Sequence, residues 1–235
     1  MQNNNPKAFT LIELLTVIGI IGLLVAILLP VLARARGAAF KLKCSSNLGQ
    51  IGLATSLYCN DSQEFYPSAK DPVSTDPAYW LWMGRGWRQF LNEYLSAKEN
   101  GKAGVFLCPA NKTDKENYDA TSYAYVMSCY HSPEQIDTIK GVAQQYSSSL
   151  VMESISQKSL NVKHPAGKII FGEWLSNHLY IDSDAGWWCD QGRRNFLFAD
   201  LHTDYIAASD IEIANDGNPN PSVTAGGLGG FDIFE

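Results

Sequence analysis

Glu13 is the side chain with the most to say about chemistry. It directly precedes LLTVIGIIGLLVAILLPVLA, the twenty residues from Leu14 to Ala33, which carry no charge. An ionised carboxylate placed in hydrocarbon costs about 2.5–3.5 kcal/mol on insertion scales. Such an acid therefore either lies at a membrane interface and snorkels, or meets a cation inside an assembly. At about 1.5 Å per residue the apolar run spans roughly 30 Å as a helix, the thickness of a bilayer core. Gly19, Gly22 and Pro30 lie within it. Small residues let helices approach closely, and Pro30 removes a backbone donor and invites a kink. Gly and Pro are also simply commoner in membrane helices.

Other reactive residues give weaker signals. There are five cysteines, at positions 44, 59, 108, 129 and 189, so at least one is unpaired within the chain. No C-x-x-C and no His/Cys spacing points to zinc, and no metal or other cofactor is expected. His131, His164, His178 and His202 lack any accompanying G-x-S-x-G, H-E-x-x-H or phosphate-loop motif, which argues against an enzyme. Asp182, Asp184, Asp190, Asp200, Asp204, Asp210, Glu212 and Asp216 read as a solvated acidic face rather than a calcium loop, because no EF-hand pattern orders them. Trp80, Trp82, Trp87, Trp174, Trp187 and Trp188 read first as core, with sugar binding or a membrane interface as alternatives.

Around these residues the chain divides by charge. Its 235 residues carry a net charge of −6, which argues against nucleic acid as a partner. Residues 1–60 hold five Lys/Arg against one acid, whereas residues 61–235 hold 13 against 23. The composition, 46% hydrophobic and 11% aromatic, excludes a disordered chain. A removable secretory signal fits poorly: the apolar run exceeds the usual 7–15 residues, and Arg34 and Arg36 sit at the small-x-small site Ala33-Arg34-Ala35. Beyond the run, Leu48, Ile51, Thr55 and Tyr58 recur at helical spacing, with Leu53 and Leu57 widening the stripe. A helix from Thr10 to Cys59, about 75 Å long, follows. Arg85–Ala97 reads as a short helix, Lys168–Glu173 as a buried strand, and Phe196–Asp200 with Thr203–Ala207 as a hairpin. The segment 215–230 is loop-like.

The segment Lys7-Ala8-Phe9-Thr10-Leu11-Ile12-Glu13-Leu14-Leu15, followed by the apolar run, resembles the processing site of type IV prepilins and type II secretion pseudopilins. The resemblance implies that a prepilin peptidase cuts between Ala8 and Phe9 and methylates the new amine of Phe9. Ala8 stands where the family usually has Gly. It implies an α+β, pilin-like lollipop: a long amino-terminal helix, half in the membrane and half amphipathic, packed on a small antiparallel sheet with loops. The expected parts are a leader (1–8), a membrane and assembly helix (9–33), its amphipathic continuation (34–61) and an exported globular body (62–235). Arg34, Arg36, Lys41 and Lys43 after the run would by themselves keep the body in the cytoplasm; the resemblance implies export through the inner membrane. In a staggered filament, Glu13 of one subunit would meet the Phe9 amine of its neighbour, removing the cost of an isolated charge and fixing register. Pro30 belongs to the same assembly surface. The implied partners are the prepilin peptidase and other pilin or pseudopilin subunits.

The stretch from Cys44 to Leu53 (CSSNLGQIGL), with Tyr66-Pro67, Phe106-Leu107-Cys108-Pro109 and Asn195 to His202 (NFLFADLH), resembles a prepilin-type subgroup with a processing-associated H-X9-DG domain. Asp190 stands where its His belongs, and Leu201 where its Gly belongs. Asp-Gly closes a tight primed turn because Gly accepts positive φ; Leu does so at a cost, so a longer or different turn is expected. Cys44 and Cys108 both lie in subgroup-like segments and form the expected disulfide, with buried free thiols as the alternative. The expected function is a non-enzymatic structural subunit of a type II secretion or type IV pilus-like filament. A membrane-anchored binding module, perhaps for carbohydrate, and a tethered exported enzyme are the alternatives.

Overall fold

A computed structural model describes residues 10–69, 86–95, 104–111, 121–141, 153–181 and 186–233. Helix α1 runs from Leu11 to Asp61 without interruption at Pro30. By packing, the chain forms two compact units that divide between Ala39 and Phe40. The boundary falls inside α1, whose turns from Phe40 onward pack with the body.

In the first unit every described side chain is exposed. Leu23, Leu24, Ile27, Leu28, Leu29 and Leu32 are among them. The apolar residues surround the helix rather than forming one stripe, as expected of a helix whose solvent is lipid or other helices rather than water. Among the described residues, α1 is the one helix long and apolar enough to cross a membrane.

In the second unit α1 becomes one-sided. Cys44, Asn47, Leu48, Ile51, Gly52, Ala54, Thr55 and Cys59 are buried, at the three- and four-residue spacing that keeps side chains on one helix face. Leu53 and Leu57, expected to widen that stripe, are exposed. They lie about 100° and 140° around the helix from Gly52, off the buried arc.

The buried face covers a four-stranded antiparallel sheet in the order β1 (Tyr123–Tyr125), β2 (Ile169–Glu173), β3 (Arg193–Phe198) and β4 (Thr203–Ala207). Gly52 sets the spacing: a Cβ there would meet Leu197 Cδ2 at 2.9 Å. This arrangement of a long helix and a small antiparallel sheet is the expected α+β class. The short helix expected at 85–97 is shorter, Trp87–Leu91 (α2), and gives way to turns at residues 92–94; residues 85, 96 and 97 lie outside the described residues. Trp87 nevertheless packs on Phe171, Tyr125 and Phe106. Helix α3 spans Pro133–Asp137 and starts with a capping box between Ser132 and Gln135.

The β3–β4 connection runs through Ala199, Asp200, Leu201 and His202, longer than a two-residue primed turn. Leu201 still adopts φ 76°. The turn is held by Leu201 N–H donating to Phe198 O and by Phe198 N–H donating to His202 O. The segment 215–230 is loop-like, as expected, but largely buried, with short 3-10 turns at Pro221–Val223 and Gly227–Gly229. Just beyond it, the buried Asp232 carboxylate accepts from Ile169 N–H at 2.8 Å and pairs with Lys168 Nζ at 3.1 Å. Thr224 Oγ1 donates to the same carboxylate. Polar residues without apolar periodicity are thus buried because the network satisfies them.

Candidate functional site

Two groups of residues carry chemistry. The first lies at the start of α1. Thr10 N–H and Thr10 Oγ1–H donate to Glu13 Oε2 at 2.9 and 2.7 Å, and Glu13 N–H faces Thr10 Oγ1 at 3.3 Å. This reciprocal pair is a capping box, legible in the sequence as Thr-x-x-Glu. It ties two otherwise orphaned helix-terminal donors and fixes the carboxylate against the first turn. The donors are neutral, so they orient the acid without cancelling its charge. Pro30 lies inside the same helix with its side chain exposed. The expected cleavage bond Ala8–Phe9 and the Phe9 amine lie outside the described residues.

The second group lies where α1 crosses the sheet. Cys44 on α1 and Cys108 in the 104–111 segment are joined by a disulfide, their Cα atoms 5.1 Å apart. Cys59 and Cys129 are buried free thiols and Cys189 is half-buried. Burial, with the nearby Glu64 charge, pushes the Cys59 thiol up to about 12. Burial likewise holds Cys129 well above the ordinary thiol range, against a smaller opposing effect of Lys168.

Beside the disulfide stand Glu173, the last residue of β2, and His178 in the turn that follows. Glu173 is fully buried and the His178 side chain is 4% exposed. His178 Nε2 is 2.9 Å from Glu173 Oε1 and 3.5 Å from Cys108 Sγ. The other carboxylate oxygen, Oε2, accepts from Asn195 N–H at 2.9 Å and from Asn195 Nδ2 at 3.0 Å, both on β3. Tyr123 faces Glu173 across the β1–β2 pair, and its hydroxyl donates to Cys44 O. Burial, then the Glu173 charge, holds the Tyr123 phenol far above its ordinary range. One potential metal-ligand atom from each of Cys44, Cys108, Glu173 and His178 lies within 4.8 Å of the others. Nothing in the spacing of the sequence marks this grouping. Its members come from three separate stretches of chain, and only Glu173 and His178 are near neighbours in sequence.

The remaining expected site residues scatter. Trp87, Trp174 and Trp187 are buried in the core and Trp188 packs at its edge; Trp80 and Trp82 lie outside the described residues. Asp190, Asp200, Asp204, Asp210 and Glu212 are exposed, as a solvated face requires. Asp216 departs from that expectation: it is buried, accepting from Asn218 N–H and Asn220 Nδ2. Asp182 and Asp184 lie outside the described residues. His131 is buried against Gln135, His164 edges Phe231, and His202 stacks on Phe198 while bonded to Asp200.

Residues 3–29 match the family model of the prokaryotic N-terminal methylation motif. Over this stretch the chain is similar to type IV prepilin-like proteins. No curated protein and no solved structure matches the chain.

Proposed function

We propose that this chain is a non-enzymatic structural subunit of a type II secretion or type IV pilus-like filament. It is inserted as a precursor, trimmed between Ala8 and Phe9, methylated at Phe9 and assembled through α1, with the body exported. The observation that carries this reading is the methylation motif at residues 3–29 leading directly into an all-round apolar helix. The capped Glu13 supports it: the carboxylate is oriented by Thr10 yet keeps its full charge, so in a lipid or filament core it still needs a cation. A methylated amine at Phe9 of a neighbouring subunit supplies that cation and sets the stagger. The prepilin peptidase and other pilin or pseudopilin subunits are the proposed partners, and the inner membrane is the proposed site of insertion.

Mass spectrometry of the mature amino terminus tests the reading directly. A chain starting at monomethylated Phe9 supports it, and a chain retaining Met1–Ala8 overturns it. In a separate test, Glu13→Ala is expected to insert normally but to lose at least half of the assembled filament. Wild-type filament yield would exclude the charge-pairing mechanism.

A further inference from the structure

We propose that Cys44, Cys108, Glu173 and His178 form a zinc-type metal site when Cys44 and Cys108 are reduced, so that disulfide and metal are alternative staples at one point in the fold. The proposal concerns the body and is independent of how the amino terminus is processed. Its ground is the convergence of four ligand atoms within 4.8 Å of one another, on side chains that are nearly or fully buried. Tetrahedral zinc with bonds of about 2.0–2.3 Å needs ligand atoms roughly 3.3–3.8 Å apart. The metal would draw the more distant of these atoms together by up to about 1.5 Å, while reduction frees the two sulfurs to move apart. Two thiolates, an imidazole and a carboxylate are a donor set suited to Zn²⁺ rather than to Mg²⁺ or Ca²⁺, which favour all-oxygen shells.

The surroundings support the same role. Glu173 Oε2 is fixed by two donors from Asn195, which leaves Oε1 directed at His178 Nε2. Outer partners that lock a ligating carboxylate are typical of built metal sites. The ligands also join α1, the 104–111 segment and the end of β2, the same region the disulfide clamps. Neither staple demands a different fold.

The chemistry balances as follows. A thiol or phosphine reductant donates two electrons to the Cys44–Cys108 disulfide and is itself oxidised, and the sulfurs take up two protons to become thiols. Binding Zn²⁺ then displaces those two protons to solvent, and the proton that His178 Nε2 shares with Glu173 Oε1 moves by solvent exchange to Nδ1, freeing Nε2 to ligate. An added small-molecule disulfide reverses this: it accepts the two electrons and leaves as two thiols, the Cys44–Cys108 bond re-forms, both thiolate ligands are lost and the metal is released.

The test uses the full-length chain in detergent, with Co²⁺ as a spectroscopic substitute for Zn²⁺ under anaerobic conditions. The phosphine-reduced protein is expected to bind one Co²⁺, with thiolate-to-cobalt charge-transfer bands that Zn²⁺ abolishes; the oxidised protein is expected to give none. Glu173→Gln and His178→Ala are each expected to weaken binding more than about tenfold. The reduced wild type is decisive even if a variant misfolds: no charge-transfer bands with excess Co²⁺ overturns the proposal. So do bands that persist unchanged in Cys44→Ser, which would place the metal on Cys59, Cys129 or Cys189.

Discussion

At the scale of single residues, environment separates groups that the sequence writes alike. The free thiols differ most in access. Cys59 and Cys129 are buried, with burial pushing Cys59 up to about 12 and raising Cys129 likewise, whereas Cys189 is half-buried. The thiolate is the nucleophile, so the buried thiols, held protonated, are far less reactive at pH 8 than an ordinary cysteine. Alkylation of the oxidised native protein is therefore expected to label Cys189 alone, with Cys59 and Cys129 labelled only after denaturation; peptide mapping checks this. Asp137 behaves differently. Asn215 Nδ2, then Gly226 N–H, donates to its carboxylate and holds it below the ordinary range, with Lys140 adding a smaller pull. A depressed folded pKa contributes stability above the unfolded value of about 3.9, which is lost as pH falls through the folded one. The Gly226 amide is accordingly expected to keep its exchange protection down to the ordinary carboxylate range and to lose it only as pH falls through the depressed value, and Asp137→Asn to flatten that dependence.

At the scale of elements, close approach governs. Gly172 on β2 lies beneath the ring of Phe196 on β3, and a Cβ there would sit 2.3 Å from Phe196 Cδ1 and 3.2 Å from Trp187 Cζ2. Both rings are buried and Trp187 Nε1–H donates to Glu173 O, so neither can withdraw freely. Gly172→Ala is expected to destabilise the body by about 1–3 kcal/mol, the usual range for overpacking, read as a lower denaturation midpoint. The same element shows what a pattern hides. KIIFGE reads as a buried strand, and Ile169–Glu173 is one, yet nothing local marks its last residue as the carboxylate that faces a disulfide. Leu201 is a parallel case: the departure from Gly is visible in the sequence, but its positive φ follows from how β3 and β4 are joined.

At the scale of the whole molecule, long-range ties hold the second unit together. The Cys44–Cys108 bond closes a loop of sequence separation 64; loop-closure entropy alone makes such a bond worth about 4 kcal/mol. Cys44→Ser in metal-free buffer is expected to lower stability by about 2–4 kcal/mol, measured by denaturant unfolding of the oxidised proteins. The buried Lys168–Asp232 pair ties the end of the chain to the start of β2 in the same non-local way. What the sequence by itself determined is the amino-terminal half of the story: the apolar run, the acid at its head and the methylation motif all lie within residues 3–33. A helix satisfies its own backbone, and its side-chain contacts recur every three or four residues, so its logic is written in local spacing. The convergence of Cys44, Cys108, Glu173 and His178, the burial of Asp216, and the burial of most of segment 215–230 were decided by tertiary structure. Their partners lie tens to more than a hundred residues apart, or owe their burial to chain packed from elsewhere, and periodicity carries no information about which distant strand or turn will supply a ligand or a hydrogen bond.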